Sequence, residues 1–160
     1  MIYALSRLEP QVIIDPATAF SLGGLLAMIG WAGLLLALFV KPVRAYAWPA
    51  ATIVIPALLA VAYVLLIQEG MRAADGGGFG SIAEVRALFA NDSALAAGWL
   101  HYLAFDLFVG SWIAREGPDS RVPALLLVPC LALTFLFGPG GLLLFLVLRF
   151  AFSRRIVSGV

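Results

Sequence analysis

The sequence predicts an all-α integral membrane protein, built as a bundle of four transmembrane helices. Of its 160 residues, 63% are hydrophobic and 12% are charged, whereas soluble domains have roughly 45–50% apolar and about 25% charged residues. The mean hydropathy is +1.05, and apolar runs of the length that a membrane-spanning helix needs recur along the chain. We therefore expect residues 1–160 to form a single membrane domain.

The first predicted span covers residues 17–40. Asp15 is suited to cap this helix and Pro16 to occupy its first position, and Lys41 and Pro42 follow its end. Its apolar run is too long for a cleavable signal peptide, so we expect the segment to remain as an anchor.

The second predicted span covers residues 48–67. Pro49 falls in its first turn, where proline is tolerated, and the interior Pro56 predicts a kink. In the loop that follows, Ser81 and Glu84 match a capping box at the start of residues 81–89. This segment predicts either a short amphipathic helix on the membrane surface or an ordinary helix packed on the bundle.

The third predicted span covers residues 93–114, and the fourth covers residues 121–150. The fourth is interrupted from Gly138 to Gly141, because proline removes a hydrogen-bond donor and glycine lowers the cost of distortion. A short helix, a break and a second short helix are the alternative. Irregular backbone at membrane depth persists only against protein or a polar cavity, so carbonyl groups near the break can line a site. A simple kink or a close approach of two helices remains the other interpretation.

Charge and composition exclude several functions. A net charge of +1 gives no electrostatic attraction to nucleic acid. The single cysteine excludes an internal disulfide and a cysteine-based metal cluster, and the single histidine argues against a multi-histidine iron site. We therefore predict no metal and no cofactor. Four spans place both termini on one side, and the basic residues do not decide the orientation.

Two ionisable residues lie inside the third span, and they are the candidate catalytic residues. His101 and Asp106 each cost at least ~2.5–3.5 kcal/mol in hydrocarbon, so such residues are functional-site candidates. Their spacing points them about 140° apart on an ideal helix, while Tyr102 shares the face of Asp106. The structural alternatives are an ion pair or hydrogen bond between helices for Asp106. The structural alternatives for His101 are an imidazole in the core that bonds a backbone carbonyl, or an imidazole that lies near the membrane interface.

Aromatic residues and the residues of the break are the candidate substrate-binding set. Trp31 falls in mid-span and is suited to line an aromatic pocket, whereas interfacial belts explain most tryptophans of membrane proteins. The full set is Trp31, Trp99, Tyr102, Phe105, Phe108, Trp112, Thr134, Phe135, Gly138 and Pro139.

Two motifs resemble the abscisic-acid-deficient-four family of small membrane proteins. The matching residues are Trp99, the run from His101 to Gly110, Trp112, Ile113, Pro129, Thr134, Phe135, the run from Gly138 to Leu142, and Arg149. The resemblance extends over nearly the whole chain. The plant member of the family is associated with forming neoxanthin from violaxanthin, which opens an epoxide and generates an allene without net redox change.

The resemblance implies a membrane enzyme that acts on a carotenoid or related isoprenoid lipid by non-redox acid–base chemistry. Asp106 then acts as the acid and His101 as the base, or the reverse, and aromatic walls stabilise a cation on the polyene. A carotenoid- or lipid-binding accessory protein without catalysis stays open, as does a small oligomeric transporter that uses the pair as a proton relay. We expect a bacterial inner-membrane protein, and the sequence is compatible with a homo-oligomer.

Overall fold

The computed structural model describes residues 14–153, and this part of the chain is helical with short connections and no strand. The helices are α1 (Pro16–Phe39), α2 (Arg44–Pro49), α3 (Ile55–Ala73), α4 (Ile82–Phe89), α5 (Asp92–Asp119), α6 (Ala124–Phe137) and α7 (Pro139–Ser153). The all-α class is confirmed for these residues. Arg7, Arg154 and Arg155 are among the basic residues that were weighed for the orientation, and they lie outside the described part.

Three helical stretches are long and apolar enough to cross a membrane, and they make this a membrane protein. They are Pro16–Phe39, Lys41–Ala73 and Asp92–Asp119. The helices α6 and α7 are apolar but shorter. At 1.5 Å per residue each measures about 21–23 Å, which is less than the roughly 30 Å of a bilayer core.

The predicted caps of α1 and α4 are confirmed. Asp15 caps α1 by accepting hydrogen bonds from the Thr18 backbone N–H at 2.8 Å and the Thr18 hydroxyl at 2.6 Å. These bonds lower the pKa of Asp15 from its ordinary value, because they favour the charged carboxylate. Pro16 occupies the first turn of α1, Asn91 caps α5 and Ser81 caps α4.

The second span is longer than predicted and is not a regular α-helix. Its helical stretch begins at Lys41 and α2 begins at Arg44, so Pro49 ends α2 rather than lying in the first turn. A π-helical turn, Ala50–Val54, joins α2 to α3. This turn comes directly before Pro56, which lacks an N–H, and π-turns are one way in which helices absorb such a defect. The irregularity expected near Pro56 is therefore present as a change of helix type.

The helix α5 lies at the centre and packs against α1, α3, α6 and α7. Its buried face includes Leu100 and Leu107, which pack against Gly23 and Gly30 of α1. Contacts between small residues and large ones let apolar helices approach closely. Residue numbers rise together in these two contacts, so α1 and α5 run in the same direction. Gly70, near the end of α3, contacts Ala94 at the start of α5, so α3 is antiparallel to both.

The helices α6 and α7 form an antiparallel hairpin, which corrects the predicted fourth span. A Cβ on Gly141 would meet the backbone of Thr134 and the carbonyl oxygen of Cys130. A continuous helix would separate Gly141 from Cys130 by about 16 Å. The chain reverses at Gly138, whose φ of 43° is in the left-handed region that glycine tolerates.

The hairpin enters and leaves at the same end of the bundle. Leu127 of α6 packs on Gly117 near the end of α5, and the carbonyl of Leu136 reaches Tyr102 in the middle of α5. The helix α7 then returns until Arg149 contacts Glu116. The alternative of two short helices with a break is therefore the correct one, and the single interrupted span is wrong.

The bundle has two ends, which we call the α4 side and the α2 side. The α4 side is where α1 and α5 begin and where Asp15 and Asn91 cap them. The α2 side is where α1 and α5 end, and it carries Arg44 and Asp119. Because the α6–α7 hairpin turns back, α1 begins on the α4 side and α7 ends on the α2 side. The two ends of the chain, which were expected to share one side, lie outside the described residues.

Candidate functional site

Asp106 lies in the middle of α5 and faces the tip of the α6–α7 hairpin. A Cβ on Gly138 would lie 2.7 Å from Oδ1 of Asp106 and 3.2 Å from Oδ2. Glycine is thus required at position 138 by the close approach of the carboxylate as well as by its positive φ. The structure brings together the half-buried Asp106 and the glycine–proline break that the sequence singled out.

Tyr102 joins Asp106 to the end of α6. It lies one turn before Asp106 on α5, and its hydroxyl lies 3.3 Å from the carbonyl oxygen of Leu136, to which it donates. The Tyr102 side chain lies on the same face of α5 as Asp106. The last carbonyls of a helix have no partner within the helix, so Tyr102 satisfies one of those that the break exposes. The carbonyl of Leu136, which the sequence singled out near the break, is thus bonded to Tyr102.

Two buried polar atoms near this site have no hydrogen-bond partner among residues 14–153: Nε1 of Trp31 and Oδ2 of Asp106. Trp31 is only 5% exposed, and its ring packs on Gly110 and edge-on against Phe135 at 5.7 Å. Gly110 lies one turn after Asp106. An unsatisfied buried polar atom costs about 1–3 kcal/mol. The indole N–H and the carboxylate oxygen are therefore two unsatisfied polar atoms near the tip of the hairpin.

An apolar groove leads to Tyr102 from the α4 side. It has a volume of about 770 Å³ and lies between the start of α1 and the first half of α5. Its wall is aromatic: the ring of Trp99 stacks on Phe20 at 5.3 Å and on Tyr102 at 5.9 Å. Asp15 and Asp92 lie at its rim. We call this space the aromatic groove. It lies beyond the tip of the α6–α7 hairpin, where a full-length fourth span would have packed.

His101 does not join Asp106 at this site. Its ring is exposed and packs between Phe105, at 4.7 Å, and Tyr63 of α3, at 5.5 Å. Phe105 is itself 60% exposed. The two candidate catalytic residues therefore lie on different faces of α5, as their spacing indicated.

The remaining predicted site residues are distributed over three places. The Thr134 hydroxyl is buried in the hairpin and donates to a carbonyl of its own helix at 2.8 Å. Pro139 begins α7 and is exposed. Phe108 and Trp112 line a second cavity on the α2 side, away from the aromatic groove. Of the predicted substrate-binding residues, only Trp99 and Tyr102 line the aromatic groove.

The sequence did not reveal the ion pair that attaches α7 to α5. Nη2 of Arg149 lies 2.7 Å from Oε1 of Glu116, and the Arg149 side chain is 1% exposed. The signal that could have found it is the position of an arginine in an apolar run that otherwise has no charge. Phe20 was also missed, because nothing in its sequence context separates it from other apolar residues of α1. Within residues 14–153, no three His, Cys, Asp or Glu side chains are grouped as a metal site requires.

The fold and this site define a small helical membrane protein with a carboxylate at mid-depth, held between a helical hairpin and an apolar groove. The chain belongs to the ABA4-like family. A family model described as ABA DEFICIENT 4-like matches residues 18–145, which confirms the resemblance drawn from the two motifs. This membership indicates a carotenoid-related membrane protein. No curated protein and no solved structure matches the chain.

Proposed function

We propose that the protein is a membrane enzyme that converts a carotenoid or related isoprenoid lipid by non-redox acid–base chemistry. One observation carries the proposal: Tyr102 is part of the wall of the aromatic groove and donates to the Leu136 carbonyl at the tip of the hairpin, where Gly138 approaches the carboxylate of Asp106. An apolar ligand in the groove can thus reach Tyr102, which lies one helical turn before Asp106. Membership in a carotenoid-related family supports the same substrate class.

The aromatic groove supplies the binding site for the end group of the substrate. Ligand pockets typically have volumes of ~300–1,000 Å³ and mostly apolar walls with a few polar groups, and the groove has this size and character. Phe20 and Trp99 remain 47% and 42% exposed, so a ligand can cover them further. Stacked aromatic faces also stabilise positive charge on a bound polyene.

Asp106 supplies the proton transfers. In its neutral form the carboxyl donates its proton to a ring oxygen of the substrate, and the carbon–oxygen bond breaks with both electrons going to oxygen. The resulting cation is spread over the polyene. The Asp106 carboxylate then removes a proton from a neighbouring carbon, which restores the neutral acid and leaves no net redox change. Tyr102 holds the carboxyl in position. This scheme needs one residue in both roles, because His101 faces away.

The second candidate is a carotenoid- or lipid-binding protein that does not catalyse a reaction. The separation of His101 from Asp106 favours it, because binding needs only the aromatic groove. In either case the partner is a carotenoid or another isoprenoid lipid. We propose the inner membrane of a bacterium as the location, either as a single copy or as a homo-oligomer.

The substitution Asp106→Asn tests the enzyme directly. It keeps the size of the side chain and removes its ability to give and take a proton, so conversion of an epoxide-bearing carotenoid should fall by about 10²-fold or more. The measurement is product formation by chromatography in membranes that contain the protein. The amount of pigment that copurifies should stay close to that of the wild type.

The control is Asp75→Asn in the exposed loop after α3, which should leave conversion unchanged. Equal conversion by Asp106→Asn and wild type would contradict the proposed role of Asp106. Wild-type protein that carries pigment but converts none would favour the binding protein instead.

A further inference from the structure

A second cavity of about 520 Å³ lies on the α2 side, at the opposite end of the protein from the aromatic groove. It is formed by α2, the π-helical turn after it and the last turns of α5. None of the chemistry proposed above uses it. We call it the α2-side cavity.

Two arginines lie on one tryptophan at this cavity. The guanidinium carbon of Arg44 is 5.5 Å from the centre of the Trp48 ring, and that of Arg115 is 5.7 Å from it. Arg44 is held in place because it donates to the carbonyl oxygens of Ala37, at 2.8 Å, and Leu38, at 3.2 Å. These are among the last carbonyls of α1, where a positive charge is favourable. The position of one guanidinium is therefore fixed.

The acidic residues of the cavity do not cancel this charge. Glu116 lines it, but its carboxylate lies 2.7 Å from the guanidinium of Arg149. Asp119 is the other acid and is exposed at the end of α5. Because Arg149 balances the charge of Glu116, the guanidinium groups of Arg44 and Arg115 remain against the single carboxylate of Asp119. The cavity therefore has an excess of positive charge.

The inner end of the cavity combines hydroxyl groups with aromatic rings. The Thr52 hydroxyl donates to the Ser111 hydroxyl at 3.0 Å, and Ser111 donates to the carbonyl oxygen of Phe108 at 2.8 Å. Phe108 and Trp112 form the apolar part of the wall. A ligand that fits this arrangement has an anionic group at one end and a hydrocarbon portion beside it.

We propose that the α2-side cavity binds the phosphate group of an anionic membrane lipid, with Arg44 and Arg115 as its ligands. Guanidinium groups pair with phosphate through charge-assisted hydrogen bonds, and basic pockets between transmembrane helices on the cytoplasmic side hold lipid headgroups. Free phosphate shares this chemistry, but the aromatic wall favours a ligand that carries acyl chains. The lipid ties the end of α1 to the end of α5.

The substitution Arg115→Gln tests this site. Protein purified in detergent is mixed with phosphatidylglycerol or phosphatidylcholine, and the lipid retained per protein is measured by native mass spectrometry. Wild type should retain phosphatidylglycerol in preference to phosphatidylcholine. The apparent affinity for phosphatidylglycerol should fall about tenfold in Arg115→Gln, as expected for the loss of one charge-assisted contact, and should be largely kept in Arg115→Lys.

Arg86→Gln is the matched control, because it removes the same charge from α4 at the other end of the protein. It should retain phosphatidylglycerol as the wild type does. Equal retention by Arg115→Gln and Arg86→Gln, or no preference between the two lipids, would overturn the proposal. Inorganic phosphate is added in a separate arm: displacement of the lipid at low millimolar concentration would overturn the lipid as the source of the phosphate.

Thermal unfolding in detergent separates a binding defect from misfolding. Without added lipid, Arg115→Gln and Arg86→Gln should unfold at similar temperatures. Phosphatidylglycerol should then stabilise Arg86→Gln more than Arg115→Gln, because a ligand stabilises the folded state in proportion to its binding. Equal stabilisation of the two variants counts against the site.

Discussion

At the residue scale, the site depends on contacts between residues that are far apart in sequence. The sequence singled out Asp106 because a carboxylate is costly in an apolar helix, and it singled out Gly138 because glycine and proline interrupt one. It did not show that the two meet, because their contact depends on the direction in which α7 leaves α6. The distance from His101 to Asp106, in contrast, follows from helical periodicity alone, and the spacing indicated their separation correctly.

The substitution Gly138→Ala should destabilise the protein and disturb Asp106. Alanine at a φ of 43° costs about 1–2 kcal/mol, and its Cβ would lie 2.7 Å from Oδ1 of Asp106. We expect a lower unfolding temperature in detergent together with reduced conversion of substrate. Gly140→Ala is the control from the same turn, since the nearest atom to its Cβ is 3.6 Å away. Equal stability of the two variants would argue against a strained position at Gly138.

At the element scale, caps and apolar runs predicted the helices well, and the direction of the last two helices could not be predicted. Hydropathy measures how long an apolar run is, and between Arg121 and Arg149 the chain has no charged residue. The reversal depends on the backbone conformation of Gly138 and on the close packing of Gly141 against Thr134. The short lengths of α6 and α7 become informative only once the reversal is known, because a half-length helix is stable at mid-depth only when its end is covered by protein.

The ion pair between Glu116 and Arg149 should hold the α6–α7 hairpin against α5. The substitution Glu116→Gln leaves a buried guanidinium beside a neutral partner, and the loss of a hydrogen bond to a charged group costs on the order of 1.5–3 kcal/mol. Denaturant unfolding in detergent should register this loss. Asp119→Asn removes a carboxylate from an exposed position near the same helix end and should leave stability within about 0.5 kcal/mol of the wild type. A Glu116→Gln protein as stable as Asp119→Asn would exclude this role of the pair.

At the scale of the whole molecule, the hairpin changes the distribution of charge across the membrane. The described basic residues on the α2 side are Lys41, Arg44, Arg115, Arg121 and Arg149, and those on the α4 side are Arg72 and Arg86. A predicted fourth span had assigned Arg149 to the α4 side, which left the orientation open. With the hairpin, the excess of basic residues near the described spans predicts that the α2 side faces the cytoplasm.

Cysteine labelling in intact cells tests this arrangement. Three variants each carry one new cysteine at an exposed position: Asp75→Cys on the α4 side, Lys41→Cys on the α2 side and Ala151→Cys near the end of α7. A membrane-impermeant maleimide should label Asp75→Cys from outside, and should label the other two only after permeabilisation. The native chain is the blank, because Cys130 is buried. If Ala151→Cys were labelled from outside together with Asp75→Cys, the fourth segment would cross the whole membrane and the hairpin would be wrong.

The α6–α7 hairpin extends only to the middle of α5, so the two halves of the bundle present different surfaces to the surrounding lipid. The aromatic groove lies on the α4 side, beyond the tip of the hairpin, so we expect the proposed substrate to reach Tyr102 sideways from the monolayer on that side. A polyene whose ring is anchored in the opposite monolayer would first have to flip, or reach across with its far end. For the proposed enzyme we therefore expect the rate in a living cell to depend on which monolayer receives the precursor, even where the total pigment content is the same.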